Sequence, residues 1–123
     1  MKLTKKKWIE VIKSQLEDLS LYEKAYDPAI DALASVLFQR DKTAKEFKDS
    51  GGKSIMKYTN KAGATNIVKN PLLTLWDDFN KTALAYWREL GLTPSSYKKL
   101  MNGIAKEDKR SQLMDALMSI EAD

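Results

Sequence analysis

The chain has 123 residues, 43% of them hydrophobic and 31% charged, the balance of a globular protein with one core. It contains neither cysteine nor histidine. That excludes disulfides, thiolate and imidazole metal sites, and serine–histidine, cysteine–histidine or HNH-type catalysis. The net charge of +4 is modest, so its distribution matters more than its size.

A first helix is predicted over residues 4–20, where Trp8, Ile12, Leu16 and Leu19 recur at helical spacing with Ile9 beside them. Asp27 and Pro28 open a second helix that should reach about Asp49. Residues 28–38 are apolar nearly all round, and such a helix is normally buried on more than one side. In a small protein this predicts a contact with another subunit, through Ile30, Leu33, Leu37 and Phe38, as well as with the chain's own core. The same run holds Asp31 and Ser35 and is too short to span a membrane, so no membrane association is expected. The N-terminal lysines have no apolar run behind them, which argues against a secretory signal. A cytosolic protein fits these features.

Ser50-Gly51-Gly52 ends the second helix. Residues 53–69 then place Ile55, Met56, Tyr58, Thr59, Thr65, Ile67 and Val68 around Asn60-Lys61-Ala62-Gly63. This pattern predicts a short β-hairpin, with an irregular loop as the competing reading. A lone hairpin is marginal in water, so it should pack on the helices or on a neighbour's hairpin.

Asn70 and Pro71 start a long helix. Leu72, Trp76, Phe79, Ala83, Tyr86, Trp87 and Leu90 form its apolar stripe, which should be core, while Asp77, Asp78, Lys81 and Arg88 fall elsewhere. Gly91 is placed to close it. Thr93 and Pro94 restart a short helix with Tyr97, Leu100, Met101 and Ile104 inward, whose end Gly103 should loosen. Residues 106–123 follow as a charged segment holding a small amphipathic helix. Its strip of Leu113, Leu117 and Ile120 suits docking of a partner, or packing back onto the same subunit.

The stretch from Asn70 to Leu100, an Asn-Pro start, a long helix ending in Glu-Leu-Gly-Leu-Thr-Pro, then Ser-Ser and a basic segment, resembles the phage terminase small subunits, the DNA-recognition components of tailed-phage packaging motors. The resemblance implies a homo-oligomeric ring that binds double-stranded viral DNA near the packaging start site. It also implies recruitment or regulation of the terminase large subunit, the motor ATPase and nuclease. Many small terminases open with a helix-turn-helix, whereas here the best candidate for one lies late, at residues 93–102. On this reading the chain is mainly α, a helical protomer with one hairpin assembling into a ring. Residues 1–105 would serve oligomerisation and DNA binding, and residues 106–123 partner binding. A small helix-turn-helix regulator and a phage structural adaptor without a DNA role are the rival readings.

Three segments carry lysines without acids: Lys2, Lys5, Lys6 and Lys7; Lys53, Lys57, Lys61 and Lys69; and Lys98 and Lys99. The last twenty residues balance at −2, with Lys106, Lys109 and Arg110 against Glu107, Asp108, Asp115, Glu121 and Asp123. Acid-free basic segments attract phosphate through counterion release, so Lys5, Lys6, Lys7, Lys53, Lys57, Lys61, Lys98 and Lys99 are the candidate DNA contacts. Each has a plainer reading: a solvated helix start for Lys5–Lys7, protected strand edges for the hairpin lysines, and a tight helical corner for Lys98 and Lys99. No catalytic residue, cofactor or metal is expected. Asp77 and Asp78 point about 100° apart on a helix, and the chain has no Gly-rich phosphate loop.

Overall fold

A computed structural model describes residues 3–121; Lys2 and Asp123, both counted in the charge segments above, lie outside that range. The elements run α1 (Lys5–Asp18), a 3-10 turn (Lys24–Tyr26), α2 (Asp27–Asp49), β1 (Ile55–Thr59), β2 (Thr65–Lys69), α3 (Pro71–Glu89) and α4 (Pro94–Glu121).

Local chemistry sets these boundaries. The Thr4 hydroxyl accepts from the Lys7 N–H to cap α1, and Asn70 caps α3 by accepting from Leu72 N–H at 3.0 Å. Thr93 and Ser96 cap α4 reciprocally: Ser96 N–H donates to the Thr93 hydroxyl, and Thr93 N–H to the Ser96 hydroxyl. Beyond α3, Leu92 N–H reaches back to Trp87 O at 2.8 Å and Gly91 N–H to Arg88 O. This closure needs a left-handed residue at Gly91, whose φ is +76°. A Cβ there would stand 3.2 Å from Leu21 Cδ1, a tight approach that adds to the preference for glycine set by φ. α1 ends through the same pair of bonds, but there Ser20 takes the left-handed position at φ 58°.

The core is a three-helix pack with α2 in the middle, against α1 on one side and α3 on the other. Ile12 and Leu16 of α1, Ile30, Leu33, Ala34 and Leu37 of α2, and Ala83 of α3 are wholly enclosed, with Leu90 nearly so. Trp8 joins two helices at the rim, its indole N–H donating to Asp41 at 2.9 Å. Arg40 lies over the Trp8 ring and donates to Asn80 of α3. Tyr22 donates to Asp27 at 2.7 Å. That bond to a carboxylate, helped by burial, holds the phenol above its ordinary pKa of 10.0.

This packing corrects the expected subunit interface. Ile30, Leu33 and Leu37 have no exposed surface within a single chain, and Phe38 is half-buried. The all-round apolarity of α2 is used up by α1 and α3 of the same chain, so these three residues are protomer core and have no face to offer a second copy. The aromatic stripe of α3 is core only in part. Tyr86 and Trp87 pack on the buried cluster, Phe79 is half-buried, and Trp76 is 42% exposed.

The second correction concerns the C-terminus. Residues 94–121 form one continuous helix, not a short helix followed by a separate one. A glycine inside a helix costs only about 1 kcal/mol, and neither a proline nor a cap follows Gly103 to turn that cost into a stop. α4 packs substantially only on α3, and every described side chain after Met101 is exposed.

Candidate nucleic-acid interface

The hairpin is antiparallel, pairing Ile55 with Lys69, Met56 with Val68, Lys57 with Ile67, Tyr58 with Asn66 and Thr59 with Thr65. Its turn is the one its sequence predicts. Gly63 N–H donates to Asn60 O, and the Asn60 side chain accepts from the Ala62 and Ala64 N–H groups.

Paired residues share a face of a sheet, so the register separates two surfaces. One carries Ile55, Lys57, Ile67 and Lys69 in a checkerboard of apolar and basic groups. The other carries Met56, Tyr58, Asn66 and Val68, with no charge. All ten strand residues are exposed, and neither strand packs substantially on a helix. The expectation that the hairpin packs on its own helices is therefore not met.

At its base the hairpin is held by Asn70, a buried polar residue. Asn70 N–H donates to Ser54 O at 2.8 Å, and its side-chain amide donates to Lys53 O at 2.9 Å. The residue that caps α3 thus also fixes the root of the hairpin.

The eight candidate lysines differ in their surroundings. Lys5 pairs with Asp31 at 3.1 Å and Lys7 with Glu10 at 3.3 Å, exposed contacts that phosphate competes with easily. They and Lys6 form the first turn of α1. Lys53, Lys57, Lys61, Lys98 and Lys99 are exposed and, among the described residues, have no acid within ion-pair distance. The structure brings Lys57 and Lys69 onto one hairpin face and Lys98 and Lys99 onto the outer side of α4. It leaves the three basic segments on separate elements.

A family model described as phage terminase, small subunit, matches residues 4–107. The chain belongs to that family. The matched region takes in the three-helix core, the hairpin and the first half of α4, and it stops short of residues 108–123. No curated protein and no solved structure matches the chain. Membership assigns the protein a role in phage DNA packaging, and the small subunit is generally the non-catalytic, regulatory member of a terminase. No described helix is long and apolar enough to cross a membrane.

Sequence reasoning missed one set of residues. Lys106, Lys109 and Arg110 fall in a segment whose summed charge is acidic, and they gain a common side with Lys98 and Lys99 only once α4 is continuous. Projecting the sequence onto a single helix through Gly103 would have found them.

Proposed function

We propose that this terminase small subunit acts in the host cytoplasm as a homo-oligomeric ring that binds double-stranded viral DNA near the packaging start site. It recruits or regulates the large ATPase and nuclease subunit. The observation that carries the DNA reading is the hairpin, with Lys53, Lys57, Lys61 and Lys69 exposed and no acid among residues 51–70. A projecting, acid-free element reaches phosphates without desolvating any partner of its own.

Oligomer formation is supported by apolar surface that the single chain leaves uncovered. Met56 is 45% exposed, Tyr58 58% and Val68 37% on the uncharged face of the hairpin, and Leu100, Ile104, Met114 and Met118 form a stripe along α4 at 41–65%. Two-stranded hairpins and isolated helices are each marginal in water. Covering these surfaces in a neighbouring copy would stabilise both. Assembly therefore falls to the hairpin and α4, and Ile30, Leu33 and Leu37 of α2 stay inside the protomer.

Replacing Lys53, Lys57 and Lys61 with Gln should flatten the dependence of log K on log salt for duplex DNA, by about 0.9 for each phosphate that is no longer neutralised. Native mass measured on the same samples should be several times the chain mass and unchanged by the substitutions. An unchanged slope would make these lysines a solvated edge. A dimer bound to a short palindrome would favour the regulator, and no binding to duplex at low salt would favour the adaptor.

Beyond about residue 105 the same unbroken helix takes on a further role, binding of the large subunit. Leu113, Leu117 and Ile120, 50–72% exposed along one side, are the anchors for helix-in-groove docking. Leu117→Asp should leave DNA binding and native mass intact and abolish co-purification of the large subunit. A variant that still recruits the large subunit as well as the parent removes the strip from that role.

A further inference from the structure

Successive residues of a helix advance by about 100°, so α4 can be divided by side. Lys98, Lys99, Lys106, Lys109 and Arg110 fall within about a third of its circumference, with Asn102 among them. Glu107, Asp108 and Asp115 fall outside that arc. Tyr97 and Met101, the half-buried residues through which α4 meets the core, lie across the helix from the cations. The basic side therefore faces away from α3. All five cations are exposed, and among the described residues none has an acid within ion-pair distance. Glu107 stands one turn from Arg110 and still makes no pair with it.

We propose that this side of α4 is a second duplex-DNA contact surface, independent of the hairpin, with Lys98, Lys99, Lys106, Lys109 and Arg110 on phosphates. The inference deepens the DNA-binding reading above and rests on it. Residues 98–110 span about 18 Å of helix, and an α-helix with its side chains matches the width of the major groove, about 12 Å. A straight basic helix of that length meets phosphates on both groove walls, where a short one would meet a single cluster. Separation of charge around the helix also matters, because acids interleaved with the lysines would repel the same phosphates. Asn102, among these cations, has the amide geometry to bond a base edge.

The test uses the full chain with Lys106, Lys109 and Arg110 all changed to Gln, a good helix former at exposed positions. A matched control changes Lys42, Lys45 and Lys48 of α2 to Gln, which removes the same net charge from exposed lysines elsewhere. Affinity for a duplex is read across a salt series, with helix content from circular dichroism. The α4 variant should keep its helix content, lose more than tenfold in affinity at low salt, and flatten the slope by about 0.9 per phosphate released. The α2 control should change little.

Equal losses in both variants reduce the effect to net charge and overturn the proposal. Full retention in the α4 variant, with loss in the hairpin variant, overturns this surface and leaves the DNA reading intact. A parent that binds no duplex at low salt overturns both. Loss of binding to phosphatidylserine vesicles without loss of DNA binding would assign the basic side to a membrane instead.

Discussion

Leu37→Asp should unfold the protomer itself, not release folded monomers from an assembly. Leu37 is fully enclosed between α1, α2 and α3. A carboxylate placed there has no cation to pair with and no water to solvate it, a cost of several kcal/mol. Domains of this size are stable by about 5–15 kcal/mol, so the variant loses most of its margin. Leu37→Ala provides the graded version, with an expected cost of about 2–5 kcal/mol from reduced burial and the cavity left behind. Far-ultraviolet circular dichroism and chemical denaturation, each at two protein concentrations, separate the possibilities. Core placement predicts a collapse of the helix signal at both concentrations. A folded chain of reduced native mass and unchanged melting would instead return Leu37 to a subunit interface.

What the sequence made legible here depended on whether a local group decided the outcome. The start of α3 was readable because Asn70 and Pro71 act within one turn, and its end because Gly91 occupies a left-handed position that favours glycine. The hairpin turn was readable for the same reason, through Asn60 and Gly63. The role of α2 was not. An all-round apolar helix must be covered, but nothing in residues 28–38 distinguishes cover by α1 and α3 from cover by a second copy. Gly103 misled in the other direction. Glycine marks a helix end when a left-handed turn and capping bonds accompany it, as they do at Gly91, and Gly103 has neither. That error hid the basic side of α4, since a charge sum along the chain averages over directions that the helix keeps apart.

The consequence for the DNA reading is geometric. Lysines on the hairpin and on α4 contact one duplex together only if the hairpin is held in a fixed direction, and bare strands supply little packing to hold it. Direction must therefore come from the root, at Asn70. Its side chain is fixed by both neighbours: the amide N–H meets the Lys53 carbonyl, and the amide oxygen meets the Leu72 N–H. Turning the amide over would set like against like at both contacts. Asn70→Ala should remove both bonds, cost about 1–2 kcal/mol through removal of the cap, and leave the Lys53 carbonyl without its donor. Asn70→Asp makes the sharper experiment. A carboxylate caps α3 as well as an amide does, but it cannot donate to Lys53 and sets a negative group against that carbonyl.

Hydrogen exchange should then show α3's first turn protected in Asn70→Asp and exposed in Asn70→Ala, with strand amides of residues 55–59 and 65–69 losing protection in both. DNA affinity should fall in both variants by a similar factor, because the lysines remain and only their orientation is disturbed. If Asn70→Asp keeps the strands as protected as the parent, the backbone bond to Ser54 alone holds the hairpin. The side-chain tie would then serve α3 and not the DNA-binding surface.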